Sequence, residues 1–244
     1  MRLVDCHAHL AELLNLDQEL EKAKEVGVRA IVAVGTDKTS NEIVRRISEK
    51  YQGYVFPALG LHPWNLGNDI EKEVRSIEKH IEECIALGEV GLDFKYQTPR
   101  ELQTKAFSLI LDLASRYDKP IIVHSRWAWR EAFEMVRDVG IKRAVFHWYS
   151  GPLDVMREIL AEGYYISATP AVEFSEAHKR AIRETPLERL LLETDSPVKY
   201  RGVPSGPQDI TKTLEGVARL KEVEKAKVAE ITTENATEFF NIKL

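Results

Sequence analysis

The residues best able to do chemistry in this chain are histidines and carboxylates standing where short apolar runs stop. His7 and His9 sit one residue apart in Asp5-Cys6-His7-Ala8-His9. In an extended chain, positions two apart share a face, so both imidazoles aim together while Cys6 and Ala8 face the covering helices. Comparable ends are Gly60-Leu61-His62-Pro63, Gly88-Glu89-Val90-Gly91-Leu92-Asp93, Val123-His124-Ser125-Arg126, Phe146-His147-Trp148 and Glu193-Thr194-Asp195-Ser196-Pro197. Five of the seven histidines fall at such ends; only His80 and His178 lie in helical stretches. Four imidazoles (His7, His9, His124, His147) and two carboxylates (Glu89, Asp195) form a ligand set for metal. Imidazole with carboxylate suits zinc, manganese or iron, and so few thiolates argue against a structural zinc knot. Six donors exceed what one catalytic zinc usually takes, so two ions sharing a bridging carboxylate is the better count.

The elements that must position these groups alternate from end to end. Strands are expected at Arg2–His7, Val28–Val34, Tyr54–Leu59, Ile85–Gly91, Pro120–His124, Arg143–His147, Tyr164–Ser167 and Arg189–Thr194. Consecutive apolar positions such as Ala30-Ile31-Val32-Ala33-Val34 fit strands covered on both faces, as in parallel sheets. Helical patterns are expected at Asp17–Val26, Thr39–Lys50, Asp69–Glu83, Glu101–Tyr117, Trp127–Val139, Leu153–Glu162, Ser175–Glu184, Gln208–Leu220 and Glu222–Phe240. The clearest stripe is Leu102, Ala106, Leu109, Ile110 and Leu113. Eight βα units in 244 residues is the count of a single (β/α)8 TIM barrel with an extra C-terminal helix. A doubly wound open sheet is the competing arrangement, since periodicity does not separate the two. No linker or composition shift divides the chain, so residues 1–244 read as one domain. In a parallel barrel all the strand ends named above meet at one rim, where such folds carry their chemistry.

Other groups at that rim read as supporting parts. Glu193 shares a face with Asp195 but lies deeper, which suits orienting a ligand. His62 is read as a substrate contact, with metal binding or a cap before Pro63 as the alternatives. Arg126 shares a face with His124 and suits an anionic substrate, a surface ion pair being the competing reading. His80 and His178 read as solvated. Trp127, Trp129, Trp148 and Tyr149 either line the pocket mouth or pack between helices.

With 34 basic and 39 acidic side chains the formal net charge is −5, against a globally basic nucleic-acid clamp. Bound cations can reverse the sign of a site, so a nucleic-acid substrate stays open. No apolar run approaches the roughly 20 residues of a membrane span, no cleavable signal is visible, and two cysteines make no disulfide framework. The expected location is cytoplasmic, with no membrane partner.

The quoted blocks, together with Thr232-Thr233-Glu234-Asn235-Ala236, resemble the TatD family of metal-dependent hydrolases, in the family's order and over nearly the whole chain. The resemblance implies a TIM barrel of the amidohydrolase superfamily, a two-metal site, and deoxyribonuclease activity, often 3′-to-5′. Carried over, His7 and His9 would hold one ion, His124 and His147 the other, with Glu89 bridging and Asp195 completing the first site. The expected cofactors are two divalent ions per chain, zinc, magnesium or manganese. The chain departs from the family pattern at Trp127, where an acidic residue is usual, at Trp148-Tyr149 in place of Cys-Phe, and at Val203-Pro204-Ser205-Gly206-Pro207 after Arg201-Gly202. None of these is a proposed ligand; all three lie where substrate would be gripped.

The expected reaction is phosphodiester hydrolysis on DNA ends, single-stranded or 3′. Asp195 takes the proton of the attacking water, Arg126 and Arg201 lie near the phosphate, and a terminal base stacks on Trp127 or Trp148. A hydrolase of carboxylic esters, amides, lactones or aminoacyl-tRNA esters is the rival enzyme. A metal-binding scaffold without turnover is the rival from another class.

Overall fold

The computed structural model describes residues 1–67 and 69–244. Eight strands pair in sequence order, all parallel: β1 (Leu3–Ala8), β2 (Val28–Val34), β3 (Val55–Leu61), β4 (Ala86–Asp93), β5 (Ile121–Arg126), β6 (Ala144–Phe146), β7 (Tyr165–Ala168) and β8 (Leu190–Leu192). The intervening helices are α1 (Leu16–Glu25), α2 (Lys38–Lys50), α3 (Ile70–Glu78), α4 (Arg100–Tyr117), α5 (Trp129–Asp138), α6 (Leu153–Ala161) and α7 (Glu176–Glu184). A short hairpin of β9 (Lys199–Tyr200) and β10 (Val203–Pro204), then α8 (Ile210–Lys221) and α9 (Lys225–Phe240), complete the chain.

The ring closes between β8 and β1. Ala8 and Ser196 form a parallel bridge, His9 N–H donates to Ser196 O at 2.7 Å and Asp195 N–H donates to His7 O at 2.9 Å. Deeper on this seam a side chain takes over from the backbone: Asp5 accepts the N–H and hydroxyl of Thr194 at 2.9 and 2.6 Å. This is the (β/α)8 barrel expected from the strand count. No helix among the described residues is long and apolar enough to cross a membrane.

The strands bury both faces, as their continuous apolar runs demand. Outward residues such as Ile31, Leu59, Leu87 and Ile121 meet helix residues such as Leu20, Val44, Ile110 and Phe133. Inward residues Val4, Ala30, Val32, Ala58, Ala86, Ile122, Val145, Tyr165 and Leu191 form a second cluster, to which α9 contributes Phe239 and Phe240. The Thr232–Ala236 block works here: Thr233 Oγ1 donates to Arg2 O at 2.9 Å, and the Asn235 amide donates to Leu187 O and Leu190 O at 2.7 and 2.9 Å. That block ties α9 across the N-terminal ends of β1 and β8.

Helix bounds differ from the sequence reading where the backbone turns. Glu222 takes φ 55°, a left-handed cap that ends α8 and delays α9 to Lys225. Trp127 takes φ 59°, so α5 starts at Trp129. The expected Asp69–Glu83 helix stops at Glu78 and leaves only a 3-10 turn at Ile81–Glu83.

Cys6 corrects the expectation drawn from strict alternation: it packs in the inner cluster with Val4 and Val32 rather than against the helices. The pairing of β1 with β2 slips between Asp5 and Ala8, so one extra residue enters β1. Such a bulge breaks the two-residue period and re-aims a side chain. Further slips lie between Leu3 and Val4 of β1 and between Leu87 and Val90 of β4, and Glu89 falls within the latter.

Candidate metal centre

The slips around His7 and around Glu89 sit where the site is built. His7 lies inside the first and Glu89 inside the second, while His9 follows β1, His124 lies in β5, and His147 and Asp195 stand just beyond β6 and β8. Two glycines let the backbone pack closely enough. A Cβ on Gly60 would collide with the Glu89 backbone, and Gly91, at φ 145°, would collide with the His124 carbonyl if it carried one.

The six candidate donors lie together, in two groups that share Glu89. In the first, His7 Nε2 and His9 Nε2 are 3.3 Å apart. Asp195 Oδ1 lies 3.4 and 3.2 Å from them, and Glu89 Oε2 lies 3.4 Å from each. Donors around a tetrahedral ion at ~2.0–2.1 Å stand about 3.4 Å from one another, so these spacings match the edges of one coordination polyhedron. In the second group, Glu89 Oε1 lies 2.8 Å from both His124 Nδ1 and His147 Nε2, which are 3.3 Å apart. Asp195 Oδ1 has no hydrogen-bond partner although it is buried, a state that a cation would relieve. The donor set therefore fits divalent metal, and Glu89 is placed to serve both groups.

Electrostatics keep the carboxylates charged. Burial opposes ionisation of Glu89, but His62, His147, His7 and His124 hold its carboxyl well below the usual range. Burial likewise opposes the charge on Asp195, and His9 with the other imidazoles around it holds it low. His9 answers in the opposite sense: burial disfavours its charge, yet Asp195 and Glu89 raise it to about 9.

The supporting groups separate by what they touch. Glu193 Oε1 lies 3.4 Å from His147 Nδ1 and accepts the Trp148 N–H at 3.0 Å. His62 Nε2 lies 3.3 Å from Glu89 Oε1, close enough that His62, Glu89 and His124 form a further possible donor triad. Yet His62 Nδ1 accepts the Trp64 N–H at 3.2 Å, which assigns the ring proton to Nε2 and makes that atom a donor. Burial pushes His62 down to about 4, so the ring is neutral at pH 7. Arg126 reaches the cleft while its Nε and Nη2 donate to Asp93 at 3.0 and 2.7 Å. Arg201, on the β9–β10 turn, is not brought into the cluster; its guanidinium lies 4.9 Å from the Phe174 ring centre.

The cluster opens into a cleft of about 630 Å3 that Trp129 and Trp148 help to line. Trp127 stands outside it, 61% exposed, with the Lys95 ammonium 5.5 Å from its ring centre, and Tyr149 is buried with its hydroxyl donating to Pro152 O. Trp148 holds φ 41°, a conformation that a bulky residue seldom adopts, fixed by its N–H bonds to Glu193 and Ser167.

Three residues carried no role in the sequence reading. Asp93, fully buried, accepts from Arg126, accepts from Trp64 Nε1 at 2.6 Å and stands 3.3 Å from His124 Nε2. It thus braces an imidazole of the centre, an arginine and an indole at once; its place at the end of β4 was the available signal. Trp64 lines the cleft, and Asp5 closes the seam behind His7. Burial raises Asp5 to about 8 against the hydrogen bonds from Thr194. His178, expected in solvent, is fully buried: Nδ1 lies 2.8 Å from Tyr149 O and Nε2 accepts the Thr169 N–H at 3.2 Å. Its lysine and arginine neighbours in sequence leave α7 on other faces, so a charged flank hid an inward ring.

Comparison with known proteins agrees with this geometry. The family model described as TatD related DNase matches residues 4–241. The human deoxyribonuclease TATDN3 is 33% identical over 98% of this chain and 94% of its own length. An uncharacterized metal-dependent hydrolase of Methanocaldococcus jannaschii is 34% identical over 100% and 99%. The solved structure of YJJV, a TatD homologue from Escherichia coli, superposes with a TM-score of 0.93 at 27% identity, covering 99% of both chains. The chain belongs to the TatD related DNase family.

Proposed function

We propose that residues 1–244 act as one domain that hydrolyses phosphodiester bonds at the ends of DNA, with single strands and 3′ ends as preferred substrate, on a centre of two divalent ions. The observation that carries this reading is the division of Glu89: Oε1 lies 2.8 Å from His124 and His147, and Oε2 lies 3.4 Å from His7 and His9. His7, His9 and Asp195 would hold one ion, His124 and His147 the other, with zinc, magnesium or manganese as candidates. When bound, such a pair supplies Lewis-acid polarisation of the phosphoryl oxygen and a water that deprotonates near neutral pH.

The chain's own groups do the rest. Asp195, ionised and lining the cleft beside His9, accepts the proton of the attacking water and returns it toward the leaving oxygen. His62 lines the cleft beside the substrate, and its one N–H faces Glu89, so it steadies that carboxylate without adding charge. Arg126, fixed by Asp93, presents a guanidinium of set orientation to the phosphate. Glu193 fixes the His147 ring from behind. Membership of a family described as DNase supports DNA over an acyl substrate.

The test is a substrate panel on metal-stripped protein reloaded with zinc, magnesium or manganese. Release of nucleotides from a 3′-ended single strand is expected. Cleavage of carboxylic esters or lactones with no release of nucleotides under any of these metals overturns the assignment.

A further inference from the structure

The cleft carries more aromatic surface than a phosphate group needs. Trp64 follows β3 and Phe174 follows β7, so in a ring of eight strands taken in order they stand on opposite sides of the opening. Both line the cleft, with the Glu89 cluster on the floor between them. Each wall has the same make-up: an aromatic ring, a second ring against it, and an arginine over it. Trp64 stacks on Tyr96 at 5.3 Å with a 24° tilt, and the Arg126 guanidinium lies 5.2 Å from the Trp64 ring centre. Phe174 meets Tyr200 at 6.2 Å, Arg201 lies 4.9 Å from the Phe174 ring centre, and Trp148 joins Tyr200 at 5.5 Å.

The Trp64 wall is held rigidly while it faces water. Its indole N–H donates to the fully buried Asp93 at 2.6 Å, yet the side chain is 44% exposed, as is Tyr96. Large exposed rings fixed in place are poor for solubility and good for stacking a flat ligand. Aromatic faces hold the bases of single strands without sequence preference, and arginines beside them favour the intervening phosphate.

We infer that the two walls form a pair of nucleobase subsites, one on Trp64 and one on Phe174, so that the cleft grips two successive nucleotides of a single strand across the bond to be cut. This rests on the phosphodiesterase reading and deepens it: the walls decide the preference for a polynucleotide over a small phosphodiester.

The experiment compares Trp64→Ala, Phe174→Ala, the double variant and Trp64→Phe with the parent chain. Affinity for a fluorescein-labelled ten-residue oligothymidylate is read by anisotropy in EDTA, so that binding is measured apart from turnover. Each alanine variant is expected to weaken binding about tenfold, the double variant further, and Trp64→Phe to recover most of the loss. In parallel, the kcat/KM ratio of oligothymidylate to bis(p-nitrophenyl) phosphate is expected to fall about tenfold per wall. Unchanged affinity in the double variant overturns the inference. So does a Trp64→Phe variant as weak as Trp64→Ala, because the contact to Asp93 rather than the ring would then matter. A parent chain that binds the oligonucleotide through these walls but hydrolyses neither diester with any divalent metal overturns the phosphodiesterase reading and leaves the base subsites standing.

Discussion

Glu193 backs the ring of His147: its Oε1 lies 3.4 Å from Nδ1, while Nε2 on the far side of the ring lies 2.8 Å from Glu89. The same Glu193 oxygen accepts the Trp148 N–H, so one carboxylate sets both an imidazole of the centre and the turn that delivers Trp148 to the cleft. Carboxylates placed behind an imidazole in this way typically account for 10- to 100-fold in metal affinity. Glu193→Gln is therefore expected to weaken metal binding by about 10- to 100-fold, measured by chelator competition. An affinity equal to the parent's would remove Glu193 from the centre.

Glu89 and Asp195 are expected to differ when altered. Glu89 faces both donor groups, so Glu89→Ala removes the shared carboxylate and the metal content, read by elemental analysis, drops for both ions together. Asp195 faces only His7 and His9. Asp195→Asn keeps an oxygen donor but loses the base, so kcat falls by about 10²- to 10⁴-fold while bound metal is largely kept. Asp195→Asn with full turnover would show that the proton goes elsewhere, and with unchanged metal content in Glu89→Ala the shared-carboxylate geometry would lose its meaning.

Metal binding near neutral pH should release protons. In the metal-free fold His9 is raised to about 9 from its ordinary 6.5, so at pH 7 it is protonated, and a ligating imidazole must be neutral. Calorimetric titrations with manganese or zinc in buffers of different ionisation enthalpy are expected to give proton release of at least one per chain at pH 7. The same shift stabilises the metal-free protein: the contribution is complete below about pH 6.5 and is lost as the pH rises through about 9. His9→Gln removes that dependence, so the gap in denaturation midpoint between the two metal-free proteins should narrow from pH 6 to pH 10.

The barrel was legible because its physics is periodic. Doubly buried strands such as Val28–Val34 are apolar at successive positions, amphipathic helices carry one stripe, and the same βα unit repeats eight times. The donors were legible because polar groups at strand ends in a parallel barrel share one rim. What escaped depends on single residues that break the period. Cys6 keeps the inward phase of Val4, and the extra residue in β1 sets His7 out of that phase, which nothing in the local pattern announces. Asp93 looks like any polar residue after a strand; its role arises from Trp64, His124 and Arg126, which meet only in three dimensions. Trp127 and Trp148 follow adjacent strands and look alike in sequence, yet only Trp148 lines the cleft, because its N–H is held by Glu193.

His178 was misread for a related reason, and its burial yields a prediction of its own. The ring joins Tyr149 O to the Thr169 N–H inside the protein, and burial pushes it down to about 4 despite the bond to Tyr149 that favours its charge. Replacing it by Leu would leave two buried backbone groups without partners, at a cost of about 1–3 kcal/mol each. The midpoint of urea unfolding at pH 7.5 is therefore expected to fall markedly in His178→Leu. The pH dependence runs opposite to that of His9. A neutral buried ring stabilises the fold fully above about pH 6.5, and that contribution is lost as the pH falls toward about 4, because the unfolded chain takes up the proton first. The parent's advantage over His178→Leu should thus shrink between pH 7.5 and pH 4.5, whereas a constant difference across that range would mean that the ring takes up its proton at the same pH in the folded and unfolded protein.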